Sequence, residues 1–265
     1  MFKTRLLSGI VLVIVLIVTV GIGGTLLYGV LLAASLIGLT ELYKVVQIQN
    51  KMLGAAGYLA VIGYYVLLYL NRMEYAMPLF ILFLMLVMAV YVFAYPKFRA
   101  EQVTMAFFGM FYVAVMLSFV YQTRELSDGG VMVWLIFLSS WGCDTCAYCA
   151  GMLFGKHKMA PVLSPKKSVE GGVGGVIGAA VLGAVFAFVM NQFAETSVNS
   201  GLCAAICGVG GAISQIGDLC ASAIKRNHEI KDYGKLIPGH GGILDRFDSV
   251  IFTAPIIYYL TVYLG

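Results

Sequence analysis

Four aspartates are placed where a carboxylate is costly, and that marks them as candidates for chemistry. Asp144 and Asp218 lie within long apolar runs, and Asp245 and Asp248 stand three apart where another apolar run begins. An acid at the centre of a membrane-spanning helix costs about 2.5–3.5 kcal/mol, so such residues face a bundle interior or a wet cavity and find a partner. At helical spacing Asp218, Ser222 and Lys225 fall at i, i+4 and i+7. One helix face then runs from an acid through a hydroxyl to a cation. Carboxylate oxygens with water suit Mg²⁺, which takes one or two protein carboxylates and lets substrate phosphates complete its shell. Three or four converging carboxylates would suit one or two hard cations. The other reading of each acid is a helix cap or a simple pairing with Lys or Arg.

Basic residues gather beside these acids. The polar stretch 222–249 holds five of the seventeen Lys and Arg residues: Lys225, Arg226, Lys231, Lys235 and Arg246. It also holds His228 and, within Pro238-Gly239-His240-Gly241-Gly242, His240. Glycines on both sides let the backbone turn sharply near a ligand. His240 either contacts a phosphate or exchanges a proton, or it is merely a solvated loop residue. A second polar segment ends Ser164-Pro165-Lys166-Lys167-Ser168-Val169-Glu170-Gly171-Gly172. A helix beginning near 171 would point free N–H groups and the positive end of its dipole toward these lysines. That arrangement is a phosphate cradle, although the pattern is not a P-loop. Equally, Gly171/Gly175 and Gly174/Gly178 are small-xxx-small pairs that pack membrane helices, and the lysines then only mark the cytoplasmic side.

The elements that must position these groups are apolar. The 265 residues are 61% hydrophobic and 11% charged, against about 25% charged in soluble domains. This composition excludes a single soluble core. Nine runs approach the ~20 apolar residues of a spanning helix: 6–22, 24–43, 52–70, 76–95, 103–121, 130–150, 171–193, 200–224 and 248–264. No small-x-small cleavage site precedes a polar mature start, so the first run is expected to remain as a membrane helix. The fold expected is an all-α polytopic membrane protein forming one integral domain, 1–265, with 1–125 as scaffold helices and 126–265 carrying the polar motifs.

With the N-terminus cytoplasmic and nine crossings, fifteen Lys and Arg residues fall on the cytoplasmic side, and only Arg72 and Arg124 fall outside. That asymmetry follows the positive-inside rule and puts the C-terminus outside. Segments 151–170 and 225–247 then share the cytoplasmic face. Asp144 and Asp218 each sit six residues from the cytoplasmic end of their runs, about 9 Å down the helix. Cys143, Cys146 and Cys149 recur every third residue. Inside a helix that spacing rotates each thiol about 60° from the last, and a closed zinc site needs four ligands. The expectation is therefore that they pack helices.

Together these residues are similar to the phosphatidate cytidylyltransferase family, also called CDP-diacylglycerol synthases. The family signature runs Ser-x-apolar-Lys-Arg, four residues, Lys-Asp-x-small, two residues, apolar-small-x-His-Gly-Gly-apolar-x-Asp-Arg-apolar-Asp. This chain matches it from Ser222 through Lys225, Arg226, Lys231, Asp232, Gly234, Ile237, Pro238, His240, Gly241, Gly242, Ile243, Asp245, Arg246 and Phe247 to Asp248, without departure. The run at 164–171 resembles a second motif, which often has Thr where Ser168 stands, and Trp141-Gly142-Cys143-Asp144-Thr145 with Tyr148 resembles a third. The first half of the chain matches nothing as specific.

The resemblance implies that CTP and phosphatidic acid give CDP-diacylglycerol and pyrophosphate. It implies Mg²⁺ on Asp218 and Asp245 with Asp248 beside them, and a second cation such as K⁺. Asp218, Asp245, Asp248, Lys225 and Arg246 would be catalytic. Lys166, Lys167, Ser168, Ser222, Arg226, Lys231, His240 and Asp144 would hold substrate. It further implies a bacterial-type inner membrane, partners limited to CTP and membrane lipid with no nucleic acid, and a homodimer. Rival readings are another CTP-using enzyme of membrane lipids, such as an isoprenoid-lipid cytidylyltransferase or polyprenol kinase, or an ion-coupled transporter. A transporter would predict inverted repeats, which the sequence does not display.

Overall fold

The computed structural model describes residues 2–193 and 197–264. Among these, nine helices account for nearly all regular structure. They are α1 (Phe2–Ile22), α2 (Gly24–Val45), α3 (Met52–Tyr69), α4 (Ala76–Phe93), α5 (Ala100–Arg124), α6 (Gly129–Phe154), α7 (Val169–Phe193), α8 (Ser200–Asn227) and α9 (Leu244–Leu264). Eight, α2 to α9, are long and apolar enough to cross a membrane. The apolar part of α1, Leu7–Ile22, is shorter. Helices α5 and α6 each widen into a π-helical turn, at Met110–Val115 and Leu138–Gly142. This is an integral membrane protein of the expected all-α class, with one addition: a short antiparallel hairpin, β1 (Lys158–Ala160) and β2 (Ser164–Ser168), between α6 and α7.

The chain divides into two compact units. The first comprises residues up to Ser118 together with Asp232–Arg246. Its largely aliphatic interior also buries tyrosines, and a Tyr buried there needs a partner for its hydroxyl. Tyr65 Oη meets Ser35 Oγ at 2.7 Å, Tyr64 Oη meets Ser118 Oγ at 2.9 Å, and Tyr43 donates to the Ala106 carbonyl at 2.7 Å. All three rings are buried. Gly57 and Gly109 lie flush against the Tyr43 ring, so any side chain there would displace it.

The second unit comprises Phe119–Lys231 and Phe247–Gly265. Helix α7 packs on α6 along one side and on α8 along another, through small residues. Cβ atoms placed at Gly175 and Gly178 would lie 2.8 Å from Ala147 Cβ and 2.5 Å from Cys146 Sγ on α6. One at Gly183 would meet Cys207 Sγ on α8 at 2.6 Å. Lipid gives no hydrophobic drive between helices, so close backbone approach and dispersion must hold them. Cysteines serve as the small complements. Cys143 is buried and contacts Gly211 O, Cys146 abuts Gly178, and Cys149 is exposed. The three thiols therefore fan out around α6, as their spacing requires.

Candidate active site

Five candidate residues of the second unit, Asp144, Lys166, Lys167, Ser168 and Asp218, collect where α6, the hairpin, α7 and α8 meet. Glu170, in the first turn of α7, secures the hairpin base. Its carboxylate accepts from the backbone N–H groups of Lys156 (3.1 Å) and His157 (3.2 Å) and contacts His157 Nδ1 at 2.6 Å. Ser168 ends β2 and caps α7, its hydroxyl accepting from Gly171 N at 3.1 Å. Side-chain oxygens of this kind satisfy amides that a helix start leaves without partners. Gln215 of α8, buried, donates to Gly172 O at 3.0 Å and ties α8 to the same first turn.

These contacts frame a cavity of about 370 Å³. From α6 it receives Asp144 and Tyr148, and from the hairpin Lys166, Lys167 and Ser168. Helix α7 gives it Gly171 and Gly172, and α8 gives it Gln215 and Asp218. Lys167 Nζ pairs with Asp218 Oδ2 at 2.5 Å, with the two side chains 25% and 27% exposed. The helix-packing reading of 164–175 holds, and the lysines line the cavity beside Asp218. Gly171, Gly174, Gly175 and Gly178 pack α7 on α6, and Gly171 and Gly172 also line the cavity.

Depth differs from the sequence expectation. Helix α6 continues to Phe154 and α8 to Asn227, so Asp144 and Asp218 lie ten and nine residues before their helix ends, about 15 and 14 Å along the axis. The extension of α8 is explained by Lys225 and Arg226 in its last turn, where cations complement the negative end of the dipole. The matched depth of the two acids is preserved.

Lys225 and Ser222 follow Asp218 along α8, partly buried. Asp248, 9% exposed, stands near the start of α9 and accepts from Ser249 N at 2.8 Å. Its backbone carbonyl lies against Gly217, the neighbour of Asp218. The ionisable groups whose charges act on Asp248 are Asp218, Lys225 and Asp144. Arg226 and Lys231 are exposed outside the cavity, and Arg226 Nη1 donates to Ile230 O at 3.2 Å, closing the end of α8.

In the first unit, segment 232–246 holds His240, Asp245 and Arg246. Gly239 and Gly241 take φ values of 78° and 90°, a region that costs other residues strain. They fold the Pro238–Gly242 turn so that His240 Nδ1 meets Ser8 Oγ of α1 at 2.9 Å. Ser8 also donates to Pro238 O at 3.0 Å. Asp245 lies in the first turn of α9, which begins at Leu244 rather than 248. Its Oδ2 accepts from Tyr233 N (2.8 Å) and Gly242 N (3.0 Å). Asp245 thereby organises its own loop.

The donors suit a hard cation. Among the described residues no cluster of three or more His, Cys, Asp or Glu could by itself hold a metal. Mg²⁺ asks less of a protein, needing one or two carboxylates with phosphates and water. Asp218, already paired with a cationic group, and Asp248 are oxygen donors of that kind.

Sequence reasoning passed over Gln215, Ser8 and Glu41. Gln215 is a polar residue one turn before Asp218 in an apolar helix, and Glu41 is an acid inside an apolar run. Both were visible by the rule that singled out Asp144. Ser8 carries no such signal.

The profile of the cytidylyltransferase family matches residues 3–264. A protein named phosphatidate cytidylyltransferase from Staphylococcus saprophyticus is 32% identical over 98% of this chain and 99% of its own length. One of the same name from Staphylococcus haemolyticus is 31% identical over the same shares. A third, from Staphylococcus aureus, is 30% identical over 98% of this chain and 99% of its own length.

Proposed function

The chain belongs to the cytidylyltransferase family, and we infer that it transfers CMP from CTP to phosphatidic acid, giving CDP-diacylglycerol and pyrophosphate. The observation that carries this reading is the cavity in which Lys166, Lys167, Ser168 and Asp218 converge, in a chain aligned end to end with phosphatidate cytidylyltransferases. Other CTP-using lipid enzymes and an ion-coupled transporter are not favoured. The full-length relatives carry the phosphatidate name, and a transporter leaves the lysine hairpin without a role.

A phosphate oxygen of the lipid forms a bond to the α-phosphorus of CTP. The bond from that phosphorus to the β-phosphate bridging oxygen breaks, and its electron pair leaves with pyrophosphate. The nucleophile is already an anion, so no strong base is required. Positioning and charge neutralisation supply the acceleration. Lys166 and Lys167 hold triphosphate oxygens in the cavity, and the Ser168 hydroxyl keeps the start of α7 turned toward them. Lys225 carries positive charge from α8 toward the reacting groups. Arg246 offers a planar fork for two phosphate oxygens. Ser222, Arg226, Lys231 and Asp144 are assigned to substrate, with Arg226 and Lys231 at the exposed approach. His240, steadied by Ser8, contacts phosphate or orders its turn.

By the family resemblance a metal-binding role is assigned to Asp218 and Asp248 of the second unit and to Asp245 of the first, and Mg²⁺ when bound would neutralise charge on the reacting phosphates. A second cation such as K⁺ is assigned to the same acids. The active site is assigned to the cytoplasmic face of an inner membrane, where CTP arrives from water and lipid from the leaflet, and the protein to a homodimer. Positive-inside counting supports the first assignment, and the family resemblance supports the second.

The test is pyrophosphate release by purified Asp218→Asn and Asp245→Asn variants with CTP and phosphatidic acid. Near wild-type turnover at saturating Mg²⁺ in either variant would remove that residue from the metal assignment.

A further inference from the structure

We propose that Glu41 is a positioning residue for cytidylyl transfer, clamping the start of α9 from α2 so that Asp245 keeps a single orientation. The proposal rests on the reaction inferred above. Glu41 is 3% exposed, and both of its carboxylate oxygens are engaged with one short backbone segment. Oε1 accepts from Ile243 N at 3.1 Å and Oε2 from Leu244 N at 2.8 Å. The preceding amide, Gly242 N, goes to Asp245 Oδ2. The Ile243 and Leu244 amides at the helix start, which have no partners within the helix, and the Gly242 amide just before it are thus taken by two carboxylates. The negative charge also complements the positive end of the α9 dipole.

Two glycines of the signature fall into place through this contact. A Cβ on Gly242 would collide with both Glu41 oxygens, and one on Gly234 with Oε1. The loop closes tightly around a buried anion supplied by an element 200 residues away in sequence. Asp245 gains its direction from this packing. Its Oδ2 is fixed by Tyr233 N and Gly242 N, and Gly242 is itself held against Glu41. Losing one Glu41 oxygen frees an amide next to Asp245 and lets the first turn of α9 fray. A carboxylate meant to engage a cation then samples several positions, and catalytic sites tolerate little such looseness.

Glu41→Gln tests this with minimal change of volume, because Gln presents one acceptor where the backbone offers two donors. The variant is expected to remain monodisperse in detergent with a melting temperature within a few degrees of the parent. Its turnover is expected to fall by roughly 10- to 100-fold, the range for losing a hydrogen bond to a charged group, with CTP half-saturation changed by less than about threefold. Its Mg²⁺-induced thermal shift, read without substrates, should need a higher Mg²⁺ concentration. Glu41→Asp, which keeps both oxygens, should recover part of each loss. Gly242→Ala should be harmful in the parent but add little to Glu41→Ala, because the clash has gone.

Wild-type turnover and an unchanged Mg²⁺ shift in Glu41→Gln would overturn the proposal. So would failure of both Glu41→Gln and Glu41→Asp to fold, which would make the role purely structural. A parent protein inactive with CTP and phosphatidic acid would instead refute the reaction.

Discussion

Lys167→Met separates substrate binding from the ion pair in which the structure finds this residue. Methionine keeps most of the apolar stem and removes the ammonium. The Lys167 nitrogen is shielded from solvent, but the two side chains are about a quarter exposed. Water can therefore solvate an Asp218 that has lost its partner, and the loss of stability should stay within about 1 kcal/mol. If Lys167 holds a triphosphate oxygen, the variant loses a charge-assisted hydrogen bond worth about 1.5–3 kcal/mol. At 1.4 kcal/mol per tenfold, that is roughly 10- to 150-fold in apparent CTP affinity. The assay is pyrophosphate release against CTP concentration at saturating Mg²⁺, beside a thermal melt in the same detergent.

Asp218→Asn should instead collapse kcat. The double variant should show both defects, since the residues act on different things once substrate is present. Unchanged CTP half-saturation in Lys167→Met would refute the phosphate role. Identical defects in both singles and the double would mean that the ion pair itself is the functional unit.

Other outcomes follow from the packing and the loops. Gly175→Leu, forced against Ala147 and the Cys143 carbonyl, should destabilise the α6–α7 contact by about 1–3 kcal/mol, seen as a lower melting temperature in detergent. Ser168→Ala removes the α7 cap and should cost about 0.5–2 kcal/mol; an unchanged melt would mean that the cap contributes nothing. Ser8→Ala breaks the contact to His240 and should lower kcat/KM by up to about tenfold, the worth of one neutral hydrogen bond, and by less than His240→Ala does. Single cysteines at Ser127 and His157, in a background without the native thiols, should label from opposite sides of the membrane. Labelling of both from one side would break the nine-crossing topology.

The apolar runs made the helices legible because period and length suffice for a membrane span. The ends of the helices were less so. Hydropathy alone starts the last run at 248, since Asp245 and Arg246 interrupt it. The helix begins at Leu244 because Glu41, remote in sequence, caps it. A cap supplied from another helix leaves no trace in the local pattern. The hairpin Lys158–Ser168 was hidden for a related reason. Its strands are three and five residues long, and Glu170 fixes its base from the following helix. In the site, Asp144, Lys166, Lys167, Ser168 and Asp218 could be read out as a group because acids and lysines are rare in so apolar a chain. The occupation of Asp245 Oδ2 by its own loop could not, because spacing says which residues share a face and not which backbone amide reaches them.

The most direct test of the central claim is conversion of phosphatidic acid by the purified protein in detergent, with CTP, in the presence and absence of Mg²⁺. CDP-diacylglycerol and pyrophosphate should appear in equal amounts, only with CTP and only with the divalent cation. No product from phosphatidic acid, or turnover of a different lipid acceptor in its place, would contradict it.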